Sequence, residues 1–152
     1  LAISFIDLEH FWIPQSLINF GFLSGFINLI LIGIIKNEFL TIYIFNALAG
    51  SFLIYLLFEI LRLIAKKIYK RDALGKGDSK LVSMMTLWLG TQGIFLGIGI
   101  AYVVAAIFLI ILLQFKKIKK SHIIPFAPFL SIGGLTVWYF GNEFLLSFIY
   151  GI

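Results

Sequence analysis

The chain has 152 residues, 61% of them hydrophobic and only 12% charged, with a mean hydropathy of +1.07. These values exclude a water-soluble domain of this size and identify an integral membrane protein, whose apolar faces are buried in lipid and in one another. The lack of cysteine excludes disulfides, thiol nucleophiles and Cys-ligated zinc, and a net charge of +5 gathered in short loops reads as a topology signal rather than a nucleic-acid footprint.

The chain opens LAISFIDLEH, with no initiator Met and no signal-peptide pattern, so it reads as the end of a helix, with an amino-terminal extension either missing from the sequence or naturally absent. After Asp7, Glu9 and His10, Pro14 marks a turn or first helical position. The run 17–35 has about the 20 residues needed to cross a hydrocarbon layer of roughly 30 Å. Lys36, Asn37 and Glu38 interrupt it, and 39–64 form a second, longer span. Lys66, Lys67, Lys70, Arg71, Lys76 and Lys80 then make the densest cationic cluster, which the positive-inside rule assigns to the cytoplasm.

Between Lys80 and Lys116 lie 35 residues without a formal charge. As one helix they would extend about 52 Å, too long for a single crossing. A break around Gly90, Thr91, Gln92 and Gly93 is expected, giving a short helix over 79–89 and a fuller one after it. That break returns Lys116, Lys117, Lys119 and Lys120 to the cytoplasmic side and leaves the Gly75 to Asp78 corner dipping below the headgroups. Pro125 and Pro128 precede a last apolar stretch through Phe140, and Asn142 and Glu143 lead into a short tail. The expected architecture is all-α: one polytopic membrane bundle over 1–152, with about six membrane segments and a short helix after the Gly-Lys-Gly-Asp corner. Of the 12 cationic residues only Lys36 falls outside, and Asp7 and Asp78 share the inner face.

Two carboxylates brought from separate helices to one depth are the minimal equipment of an aspartic peptidase. One ionised acid takes a proton from water while the other, protonated, donates to the scissile carbonyl; like charges in contact do not both ionise easily, so the pair titrates as a unit. Gly75 and Gly77, flanking Lys76, would let an extended substrate backbone approach. A structural reading of the same residues remains open: Asp78 suits the N-cap of a helix from Ser79, and Asp7 a helix end.

FIDLEHFWIPQSLINFGFLSG, ALGKGDSKLVSMMTLWLG and IIPFAPFLSIGG, in that order, resemble three successive blocks of the type IV prepilin peptidase family. The resemblance implies an intramembrane aspartic peptidase of the G-x-G-D kind, with Asp7 and Asp78 as the catalytic acids and no cofactor. It implies removal of the basic leader of type IV prepilins or pseudopilins, at the cytoplasmic face of the inner membrane and ahead of a hydrophobic helix. Glu9 falls in a matching block and is the candidate for contact with the cationic leader. Gln15 and Ala127 depart from residues common in the family. Many bacterial members also carry an extension with a cysteine-bearing loop and methylate the new amino terminus; with neither feature present, no methyltransferase activity is assigned.

The expected partners are substrate helices and membrane lipid, with no nucleic acid; oligomeric state is left open. Glu59 and Arg62, three apart on one helix face, are expected to pair. Trp12 reads as an interfacial anchor, and Asn28, Asn46 and Gln92 as makers of interhelical hydrogen bonds. His10 and His122 lack partners at metal-ligand spacing, so no metal site is expected. The alternative function is a catalytically silent membrane subunit or small transporter that keeps the fold.

Overall fold

The computed structural model describes residues 6–7, 14–35, 40–70, 75–115 and 125–151. Apart from a helical turn at Ile6 and Asp7, they form five helices: α1 (Gln15–Ile35), α2 (Leu40–Tyr69), α3 (Lys76–Gln114), α4 (Ala127–Phe140) and α5 (Asn142–Tyr150). The all-α expectation therefore holds for the described residues, with five helices where about six segments were expected. Three of them, α1, α2 and α3, are long and apolar enough to cross a membrane.

Helix α1 starts where Pro14, which has no N–H to lose, accepts from the Leu17 N–H at 3.2 Å. Its buried residues, Ile18, Gly25, Leu29 and Gly33, form one stripe, while Phe20, Leu23 and Ile27 face outward. The outward face is as apolar as the inward one, as lipid exposure requires, so small residues rather than hydrophobicity mark the contact side. At Gly25 an added Cβ would lie 2.9 Å from the Trp88 indole nitrogen, and that indole donates to the Gly21 carbonyl at 3.2 Å. Helix α2 likewise turns Ser51, Ile54, Phe58 and Arg62 inward. Its last turn carries Lys66 and Lys67, which suit the negative end of the helix dipole.

Helix α3 packs on every other helix and is bent at Gly90, whose φ of 72° and ψ of 171° are open to glycine and to essentially no other residue. The bend is a reversal. Tyr102 lies within electrostatic reach of Asp78, although 24 residues of straight helix would separate them by about 36 Å. The two arms, 76–89 and 91–114, thus run back along each other from Gly90, and the break expected from the length of the uncharged stretch is present. Against this hairpin α4 packs so closely that a Cβ on Gly133 would fall 3.0 Å from the Gly97 carbonyl carbon and 3.1 Å from the Ala101 nitrogen.

Where the hairpin turns, polar groups gather: Thr91 and Gln92 are exposed, and the Asn142 side chain at the start of α5 lies over Gly93. Interhelical polar contacts come from residues other than those anticipated. Asn46 and Gln92 are exposed, whereas Ser51 and Ser83 are buried and share hydroxyls at 2.9 Å across the α2–α3 interface.

Candidate active site

Asp78 sits in the first turn of α3, not before it. The helix was expected from Ser79, after an irregular corner, but it begins at Lys76 with Gly75 as its extended N-cap residue. The Asp78 N–H donates to the Gly75 carbonyl at 3.2 Å, and the Gly75 N–H donates back to the Asp78 carboxylate at 3.3 Å. This reciprocal pair satisfies a backbone donor ahead of the first turn and places negative charge at the positive end of the helix, which is why the corner winds up as helix. A Cβ on Gly75 would stand 3.3 Å from that carboxylate oxygen, so space, not a positive φ, is what glycine provides here. Gly77 is half-buried within the same turn.

Neighbouring helices clamp this turn. Ser79 donates to Glu59 of α2 at 3.3 Å, and Glu59 is paired with Arg62 as anticipated, through an Nε contact of 3.1 Å. On the other side Lys80 donates to Gln15 of α1 at 2.5 Å. Gln15 is therefore a tie between α1 and α3.

Asp7 and Asp78 are both buried, at 7% and 5% exposure, and Asp78 feels the charge of Asp7. The two acids proposed from the sequence are thus brought together across 71 residues of chain. The Asp7 carboxylate accepts a hydrogen bond from the Ala127 N–H. That N–H belongs to the first turn of α4, one of the donors a helix leaves without an internal partner, and it is followed by Pro128, which has none. The PFAPF segment thereby acquires a function that its sequence alone did not indicate: it orients the first acid.

Tyr102 was also missed. It lies within reach of Asp78, with its ring 5.0 Å from that of Phe126. The signal was present in the spacing, since Asp78 and Tyr102 are equidistant from Gly90. Glu9, His10, Trp12, Lys36 and His122 lie outside the described residues.

Chemically, the arrangement is a pair of buried carboxylates at the end of a helical bundle, with backbone donors on each. It can hold a proton between two acids and pass it to and from a bound water or carbonyl. The model of the type IV leader peptidase family matches residues 1–110. A "Prepilin leader peptidase/N-methyltransferase" of Stutzerimonas stutzeri is 31% identical over 150 residues, covering 98% of this chain and 49% of that protein. Proteins of the same name from Pseudomonas aeruginosa and Legionella pneumophila are each 29% identical, again over 98% of this chain and 49% and 50% of theirs. The chain thus spans about half the length of these curated relatives. No solved structure matches it.

Proposed function

Since the chain belongs to the type IV leader peptidase family, we propose that it is an aspartic endopeptidase that removes the leader of prepilins or pseudopilins, with Asp7 and Asp78 as its catalytic pair. The observation that carries this reading is the burial of both carboxylates within reach of each other's charge. The pair holds one proton. The ionised carboxylate takes a proton from water as the water oxygen attacks the scissile carbonyl carbon, and the protonated partner donates to the carbonyl oxygen. The resulting gem-diol collapses: the partner, now ionised, takes back a proton from a diol hydroxyl as the C=O re-forms and the C–N bond breaks, and the leaving nitrogen takes a proton from the acid that accepted one from water. One water is consumed and the pair is restored.

The site faces the cytoplasm in this proposal, because Lys66, Lys67, Lys70, Lys76 and Lys80 cluster at the same end of the bundle. About six membrane segments fit the same topology if the two arms of α3 count separately and the segment around Asp7 is one of them. Glu9 remains the candidate for the basic leader.

The test is cleavage of membrane-embedded prepilin-like peptides, read by mass spectrometry, with wild type beside Asp7→Asn and Asp78→Asn. Each change is nearly isosteric and removes only the ionisable acid. Cutting after a defined leader residue, lost in both variants, is the expected result. A variant that keeps its full rate refutes the role of that acid; a folded wild type that cuts none of the peptides favours a silent subunit.

A further inference from the structure

A helix leaves its opening N–H groups without internal partners, so the turn of α3 that carries Asp78 is held from the side, by side chains, rather than from behind by its own ladder. On the α2 side one carboxylate receives it. The Ser79 hydroxyl, fully buried, donates to Glu59 Oε2 at 3.3 Å, and Lys76, three residues earlier on the same helix face, lies within electrostatic reach of the same acid. Asp78, about 100° round the helix from Ser79, is directed to Asp7 and Tyr102 instead.

Glu59 is itself held. Arg62, one turn along α2 and only 8% exposed, donates from Nε to Glu59 Oε2 at 3.1 Å and from a terminal nitrogen to Oε1, a two-pronged contact that fixes the plane of the carboxylate. Oε2 thus accepts from Arg62 and from Ser79 at once. Ionisable groups within an apolar span are costly and commonly serve a site. This pair ends on the turn that bears Asp78.

With its side chains a helix has a radius of about 5–6 Å, so rotating the first turn by about 10° carries the Asp78 carboxylate about 1 Å. Catalytic groups must be held to within about 0.5 Å of their working geometry. A hydrogen bond on the neighbouring residue, directed to another helix, opposes that rotation. We propose that Arg62, Glu59 and Ser79 form a positioning relay: the guanidinium sets the Glu59 carboxylate, Glu59 sets Ser79, and Ser79 sets the angle at which Asp78 meets Asp7. The proposal rests on the peptidase reading above and adds to it the residues that align its second acid. They act through Asp78 and not on the substrate, so turnover depends on them while substrate binding does not.

The test uses Ser79→Ala, Glu59→Ala and Glu59→Gln in the full chain. Each is compared with wild type by kinetics on a prepilin-like peptide, by thermal unfolding in detergent, and by hydrogen exchange of the segment 75–81. Ser79→Ala is expected to lower kcat about tenfold with KM unchanged, and to speed exchange in 75–81 with Tm close to wild type. Glu59→Gln keeps an oxygen for Ser79 but gives up the ion pair with Arg62. It is expected to lower Tm much as Glu59→Ala does, yet to recover most of the kcat that Glu59→Ala loses. Turnover and stability then separate, which a purely structural contact does not produce. The losses of kcat in Ser79→Ala and Glu59→Ala are expected not to add in the double variant. Wild-type kcat in Ser79→Ala, kcat that falls in step with Tm across the series, or a loss of kcat without faster exchange in 75–81 overturns the proposal. Faster exchange in Ser79→Ala of a protein whose wild type cuts none of the peptides upholds the tether and sinks the peptidase reading. Cleavage that needs both acids but is indifferent to Ser79→Ala does the reverse.

Discussion

Replacing Gly133 by alanine probes the contact on which the acid pair depends. A new Cβ would lie 3.0 Å from the Gly97 carbonyl carbon, 3.1 Å from the Ala101 nitrogen, and closer still to the Gly97 carbonyl oxygen. Carbon atoms rest at about 3.5–4.0 Å and the Gly97 oxygen is the nearest atom, so α4 must withdraw from the hairpin by about 1 Å or more. No flexible side chain is available to give way, since the opposing atoms are all backbone. Overpacking of this kind costs about 1–3 kcal/mol. The same movement carries Ala127, less than two turns away on α4, off the Asp7 carboxylate. A misplacement near 1 Å reduces catalysis by about a hundredfold. Thermal unfolding in detergent and kcat on a prepilin-like peptide, each compared with Gly99→Ala, are the assays, because a Cβ on Gly99 meets nothing within 4 Å. Gly133→Ala is expected to lower both Tm and kcat, and Gly99→Ala neither. Wild-type kcat in Gly133→Ala would refute the coupling between the α3–α4 contact and the position of Asp7.

Gly90→Ala meets no atom, so its whole effect is backbone strain at φ 72°, about 1–3 kcal/mol; a fall in Tm is expected, and an unchanged Tm would mean that the chain does not reverse there. Ser51→Ala or Ser83→Ala removes one member of a buried hydroxyl pair and is expected to cost about 1 kcal/mol in chemical denaturation, with the double variant costing less than the two together. Strict additivity would show that the hydroxyls are not coupled.

Much of the scaffold was legible because membrane spans announce themselves by length. The run 17–35 became α1 (Gln15–Ile35), and the excess length after Lys80 required the reversal found at Gly90. Glu59 and Arg62 were legible because both lie on one helix. Contacts between helices were not. In a helix apolar on every side, hydropathy has no period that identifies the packed face, so nothing in the sequence joined Ser51 to Ser83 or Gly97 to Gly133. The start of α3 was misplaced by three residues because Asp at N-cap and Asp at N3 leave similar traces in a sequence. Only the bond from the Gly75 N–H distinguishes them. The pairing of Asp7 with Asp78 was legible through loop charge, while the donor from Ala127 depended on how α4 docks.

The polar turn at Gly90 also serves as a depth gauge. Thr91 and Gln92 are exposed there, the Asn142 side chain lies over Gly93, and Trp88, two residues before Gly90, shares a cavity wall with Trp138, the composition of a membrane–water boundary. Asp78 stands 12 residues up the arm, about 18 Å from that boundary, so in a hydrocarbon layer of roughly 30 Å it lies about 12 Å short of the opposite surface. The short arm is thus mismatched to the bilayer, and lipid beside it must thin or yield to water on the side of the acids. On the peptidase reading proposed above, hydrolysis consumes water, and this mismatch would bring it to a depth that an unperturbed leaflet keeps dry.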